Sequence, residues 1–211
     1  MENQNVVPRE QKVTTKLNAF RKRISSYLTP GAVRLLSKTG ITPNTLTVAG
    51  FIVTLAAAGL ILAGQPFAAG FVVLAAGFFD LLDGSLARTT NRVTRFGGIL
   101  DSTLDRLSEA ALMLALLVVF AGNGSVPGVW VTGITLISSM MVSYIRSRAE
   151  TAGVECEVGL FTRPERVVIL ALGLLLSGLN NVLLISLGII SVFSIITVFQ
   201  RLFHAWKHSR T

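Results

Sequence analysis

Six largely apolar runs, most of them near the length of a bilayer crossing, constrain this chain more than any other feature. They cover roughly 44–63, 66–87, 98–121, 126–147, 166–179 and 182–203, the fifth being short. A helix needs about 20 apolar residues to cross the hydrocarbon core. Backbone in lipid must satisfy its own hydrogen bonds, which favours helices. The chain is 51% hydrophobic with mean hydropathy +0.65, too apolar for an ordinary soluble domain. The fold class that follows is all-α integral membrane, with six transmembrane helices over residues 41–211. Residues 1–40 precede them as a cytoplasmic tail and a juxtamembrane segment. Within that segment, 15–38 reads as an N-terminal interfacial amphipathic helix. Leu17, Phe20, Ile24, Tyr27 and Leu28 recur at three- and four-residue steps around Arg21, Lys22 and Arg23. Pro30-Gly31 is expected to break it. No cleavable signal peptide is expected, because the first 40 residues have no apolar h-region.

Charge orients the spans. The net charge is +8. Eight Lys/Arg precede the first run, and Arg88, Arg92, Arg95 and Arg106 surround the second connection. Arg146, Arg148, Arg163 and Arg166 surround the fourth, and Arg201, Lys207 and Arg210 close the chain. The other three connections carry no Lys or Arg. The positive-inside rule therefore puts both termini and the charged loops on the cytoplasmic side of the cell membrane. Basic residues beside spans favour anionic membrane lipids and phosphorylated substrates as partners. They argue against nucleic acid, since no soluble domain carries them. The single Cys156 excludes an intrachain disulfide and a Cys-rich metal site.

The chain's four aspartates, Asp80, Asp83, Asp101 and Asp105, all lie within 26 residues of this greasy sequence. A carboxylate in a membrane segment costs roughly 2.5–3.5 kcal/mol on insertion scales, so intramembrane acids are functional by default. On a helix, Asp80, Asp83, Gly84, Ala87 and Arg88 share one face. On the next helix Gly97, Asp101 and Asp105 do the same. A short turn joins the two helices, which are expected to be antiparallel neighbours bringing four carboxylates into one small volume. Clustered carboxylates do not all stay ionised unaided. Hard divalent cations resolve the repulsion, and all-oxygen ligation suits Mg²⁺, Mn²⁺ or Ca²⁺ rather than Zn²⁺. Two Mg²⁺ ions, with Mn²⁺ possible, would clamp a diphosphate. Gly84 and Gly97 leave room for a ligand, and Arg88 can neutralise a phosphate. The plainer alternative is structural ion pairing with Arg88, Arg92, Arg95 or Arg106.

The pattern Asp-x-x-Asp-Gly-x-x-Ala-Arg, eight residues, Gly-x-x-x-Asp-x-x-x-Asp resembles the signature of the CDP-alcohol phosphatidyltransferase family. Asp80, Asp83, Gly84, Ala87, Arg88, Gly97, Asp101 and Asp105 match it without departure. The resemblance implies a six-span, usually dimeric membrane enzyme acting on CDP-diacylglycerol or another CDP-linked lipid. It implies Asp80, Asp83 and Asp101 as metal ligands, and Asp105 as both ligand and general base. It implies CDP-lipid contacts from Asn44, Thr45, Leu46, Thr47, Gly84, Arg88, Thr94 and Gly97.

The acceptor side is read from Ser143, Arg146, Arg163 and Arg166, with Arg201 on the last span. Ser143 and Arg146 share a helix face, and guanidinium groups match phosphate geometry. This set looks like the branch of the family that uses inositol phosphate, although Arg146 stands where a lysine is expected. Phosphatidylglycerophosphate synthase or another family member is the alternative. A small cation-coupled membrane transporter is the alternative from a different class, although it would need acids nearer the midplane and no basic loop beside them. His204 and His208 are read as interfacial residues.

Overall fold

The computed structural model describes residues 30–37, 39–159 and 161–209, and the regular elements among them are all helices. They are α1 Pro30–Leu36, α2 Pro43–Leu62, α3 Pro66–Thr89, α4 Arg95–Gly122, α5 Val126–Thr151, α6 Arg163–Leu175 and α7 Val182–His208. Each of the six apolar runs is a helix. The expected amphipathic helix over 15–38 lies mostly outside the described residues. Its described end is α1, which opens at Pro30. Proline lacks only an N–H that the first turn leaves unbonded anyway.

Local chemistry sets the boundaries. Prolines occupy the first or second position of α2, α3, α5 and α6. The Thr42, Thr94 and Ser125 hydroxyls accept hydrogen bonds from the backbone N–H three residues on, at 3.3, 2.9 and 3.3 Å. Gly64 and Gly124, at φ +72° and +65°, reverse the chain in two of the turns that carry no Lys or Arg.

Four helices, α2, α3, α5 and α7, are long and apolar enough to cross a membrane. The other two expected spans depart from that standard for different reasons. The 28-residue α4 is about 42 Å long, but Asp101, Asp105, Arg106 and Glu109 interrupt its apolar surface. The 13-residue α6 spans only about 20 Å, because the chain turns at 176–181 where the sequence reading extended it to 179.

The helices pack through small and polar residues. Ala57, Ala69 and Ala171 are fully buried, and the Thr135 and Ser191 hydroxyls pair at 3.0 Å between α5 and α7. Ile52, Phe67, Phe71, Ile137, Val192 and Phe199 point outward, each more than half exposed. In water such an apolar surface would be a liability; against lipid tails it is not. Close helix pairs include α2 with both α3 and α4, α3 with α6, α4 with α5, α5 with α7, and α6 with α7. The pair α3–α4 is not among them, which corrects the expectation that the two acidic helices are packed neighbours. Instead α2 lies against both, and the acidic faces are free to border a gap.

Close packing makes a stability prediction. A Cβ at Gly70 would lie 2.7 Å from Leu175 Cγ and 3.0 Å from the Ala171 carbonyl oxygen. Gly70→Val is expected to destabilise by about 1–3 kcal/mol. Gly59, with nothing within 4 Å of such a Cβ, should tolerate alanine with a gain of roughly 0.5–1 kcal/mol. Unfolding of both variants in detergent measures the contrast; equal effects would refute the packing assignment.

Candidate functional site

The acids occupy the last turns of α3 and the first half of α4, on either side of the 90–94 turn. Asp83 is buried and accepts a 2.7 Å hydrogen bond from the Thr47 hydroxyl on α2. Asp80 is backed by Gly50 on the same helix, where a Cβ would sit 3.3 Å from Asp80 Oδ1. Arg163 reaches in from the start of α6. Its Nη1 lies 2.7 Å from Asp80 Oδ2 and 2.5 Å from Asp105 Oδ1. One guanidinium thus spans the gap between the two acidic helices.

Capping puts Arg163 there. The Thr162 N–H and hydroxyl both donate to Glu165 Oε2, at 2.9 and 3.0 Å. The helix therefore begins at Arg163, three residues before the expected start. Three residues on, Arg166 meets Glu109 of α4 in a two-bond pair, Nε to Oε1 at 2.6 Å and Nη2 to Oε2 at 2.9 Å. Both side chains are almost fully buried. Glu109 is a residue that the sequence reading missed. The available signal was its place four residues beyond Asp105, on the same face of α4. Arg163 Nε and Arg166 Nη1 are buried with no hydrogen-bond partner, so neither arginine is fully consumed by these pairs.

A cleft of about 560 Å³ opens beside the acids. Asp101 and Asp105 line one side; Ser143, Arg146, Arg163 and Arg166 line the others. All five residues expected on the acceptor side border it, Arg201 included. Their states differ. Arg146 is exposed and paired with Glu150 at 2.7 Å. Arg201 is buried, and its Nε and Nη1 donate to the Val158 and Val142 carbonyls at 2.9 and 2.6 Å. It staples the 152–162 loop and α5 to α7 while forming part of the wall.

The residues expected to contact the CDP-lipid lie on α2 and around the 90–94 turn. A Cβ at Gly97 would lie 3.1 Å from Asn44 Oδ1 and 2.9 Å from Thr94 Oγ1, so this glycine keeps a narrow space open. Thr94 also caps α4. Arg88 folds back over Gly84, its Nη2 3.4 Å from Ser85 Oγ. Thr45 pairs with Thr42 at 2.8 Å, and Leu46 is buried in an apolar cluster with Val33, Leu82 and Leu86. Thr47 is committed to Asp83. Asn44 is the residue of this segment whose side chain reaches toward Gly97.

The donor set suits a hard divalent cation: four carboxylates, all oxygen, on facing helix ends. The oxygens of Asp80 and Asp105 already attract a cation, the Arg163 guanidinium. Among the described residues no three acidic, His or Cys side chains stand at metal-ligand spacing, and the guanidinium lies between Asp80 and Asp105.

Comparison with known proteins agrees with this geometry. The model of the family described as CDP-alcohol phosphatidyltransferase matches residues 40–202. The archaetidylinositol phosphate synthase of Pyrococcus horikoshii is 41% identical over 176 residues, covering 82% of this chain and 88% of that protein. The phosphatidylinositol phosphate synthase of Mycobacteroides abscessus is 37% identical over 194 residues, covering 90% and 87%. The crystal structure of the Mycobacterium tuberculosis phosphatidylinositol phosphate synthase with CDP-DAG bound superposes with TM-score 0.78 at 35% identity, over 85% of this chain and 94% of that one. The same enzyme in complex with manganese and citrate superposes with TM-score 0.79 at 36% identity, over 85% and 89%.

The buried pair gives a second stability prediction. Glu109→Ala leaves a buried guanidinium uncompensated and should destabilise by about 3–5 kcal/mol. The double variant Glu109→Leu/Arg166→Met should recover most of that loss, because neither charge is then stranded. Chemical unfolding in detergent distinguishes the two. A double variant as unstable as the single would show that a stranded charge is not the source of the loss.

Proposed function

The chain belongs to the CDP-alcohol phosphatidyltransferase family, and from that premise we propose that it makes a phosphoinositide precursor in the membrane. It transfers a phosphatidyl group from CDP-diacylglycerol to a hydroxyl of inositol phosphate, giving phosphatidylinositol phosphate and CMP. The observation that carries the acceptor is the arginine-lined cleft beside Asp101 and Asp105, which suits a polar anion. The relatives named as inositol phosphate synthases support the same choice. They divide between archaetidyl and phosphatidyl products. The reacting atoms are the same in both, since the diphosphate lies beyond the acyl or ether linkage.

The fold supplies the parts of the reaction separately. Asn44, Thr94, Gly97, Gly84 and Arg88 bind the cytidine and diphosphate at the α2 side, with Thr45, Leu46 and Thr47 shaping the segment. Ser143, Arg146, Arg163 and Arg166 hold the acceptor's phosphate, with Arg201 in the wall. Asp80, Asp83, Asp101 and Asp105 would hold two Mg²⁺ ions. When bound, those ions neutralise the diphosphate and lower the pKa of the acceptor hydroxyl. Asp105, which borders the cleft, takes the hydroxyl proton as general base. The acceptor oxygen bonds to the lipid-side phosphorus as the bond from that phosphorus to the CMP oxygen breaks, and CMP leaves with that oxygen. The manganese-bound relative supports divalent metal use.

The membrane arrangement follows the same reading. Helices α4 and α6 complete six crossings with the four apolar ones. Both termini and the active site face the cytoplasm, as the basic connections favour. The family resemblance implies a homodimer.

Purified protein with CDP-diacylglycerol and Mg²⁺ should release CMP with inositol phosphate and much more slowly with glycerol phosphate. No CMP release with any phosphorylated polyol would sink the transferase reading. Asp105→Asn should cut turnover by about 10²–10⁴-fold while retaining CDP-lipid binding. Arg146→Ala should raise the acceptor KM roughly tenfold or more, leaving the CDP-lipid KM in place. An unchanged acceptor KM moves that pocket elsewhere.

A further inference from the structure

Arg163 belongs at once to the acid cluster and to the acceptor cleft. Its Nη1 bridges Asp80 and Asp105, while its side chain lines the cavity shared with Ser143, Arg146 and Arg166. The bridge uses oxygens that a metal ion would need, and a guanidinium is repelled by a divalent cation placed among the same carboxylates. The side chain is about one-quarter exposed, so a route outward exists on the cleft side. Its buried Nε has no hydrogen-bond partner to hold it back. Arg166, one turn along the same helix, is by contrast locked in place by Glu109.

We infer that Arg163 is a two-position cation that couples metal occupancy to acceptor binding. Without metal it neutralises Asp80 and Asp105. Metal binding displaces it into the cleft, where its freed N–H groups take up the acceptor's phosphate. The acceptor site is then fully formed only after the metals are in place, and the two ligands tighten each other's binding reciprocally. This inference rests on the metal and acceptor sites of the proposed function, and its test is separable from theirs.

The test uses the full chain in detergent, stripped with EDTA, as wild type, Arg163→Gln and Arg163→Lys. Mn²⁺ binding is followed by electron paramagnetic resonance, and inositol phosphate and inorganic phosphate binding by calorimetry. Arg163→Gln should bind Mn²⁺ about tenfold tighter in the absence of anion, since no internal cation competes, while Arg163→Lys should stay near wild type. In EDTA, Arg163→Gln should melt below wild type, and saturating Mn²⁺ should close that gap. Mn²⁺ should tighten inositol phosphate binding to wild type by about tenfold, and by much less in Arg163→Gln. The same comparison with inorganic phosphate tells whether the phosphate group alone is sensed; tightening with both ligands, or with inositol phosphate alone, supports the coupling. Unchanged or weaker Mn²⁺ binding in Arg163→Gln overturns the inference, as does equal coupling in wild type and Arg163→Gln, which general charge neutralisation would give. Absence of Mn²⁺ binding in all three proteins overturns the metal site itself.

Discussion

The guanidinium of Arg163 between Asp80 and Asp105 is the contact on which the site depends. Two helix ends that each present two carboxylates repel one another, and α3 and α4 do not pack closely enough to offset it. A cation from a third helix bridges them. It can do so because Thr162 and Glu165 start α6 at residue 163, and because Arg166 fastens that first turn to Glu109 on α4. Two arginines, one turn apart, thus tie the start of α6 to both acidic helices.

These charges sit in a bundle whose exterior is apolar and whose interior is built from small and hydroxylated residues. Away from water, each charge pair counts for more and each unpaired group is penalised more heavily. That explains why the acids are so thoroughly accompanied: Asp83 by Thr47, Asp80 and Asp105 by Arg163, Glu109 by Arg166. The arginines differ in burial. Arg166 and Arg201 are buried, Arg166 held by both oxygens of Glu109 and Arg201 by two backbone carbonyls, and both border the cleft. Arg163 and Arg146 are more exposed, and each is paired with carboxylates at the edge of the cleft.

The proposed function divides its two substrates between different helices. Its nucleotide side would draw on the start of α2 and the turn between α3 and α4. Its acceptor side would draw on the cleft lined by α4, α5, α6 and α7. The acids lie between the two regions, which is why the proposal brings the reacting groups together at Asp105.

Much was legible in the sequence because it was local. Apolar run length marked six helices, the fifth as a short run, and three- and four-residue steps put Asp80 with Asp83 and Asp101 with Asp105 on common faces. What stayed hidden involved partners far apart in the chain. Glu109 and Arg166 are 57 residues apart, and nothing in either segment alone joins them. The same holds for Arg163 with Asp80, for Arg201 with the carbonyls it staples, and for the gap between α3 and α4 that α2 bridges. The sequence by itself determined which residues form helices and which faces carry charge, since helix periodicity and the price of polar groups in lipid act locally. Only the tertiary structure decided which cation answers which carboxylate, because that depends on how helices distant in sequence are placed side by side.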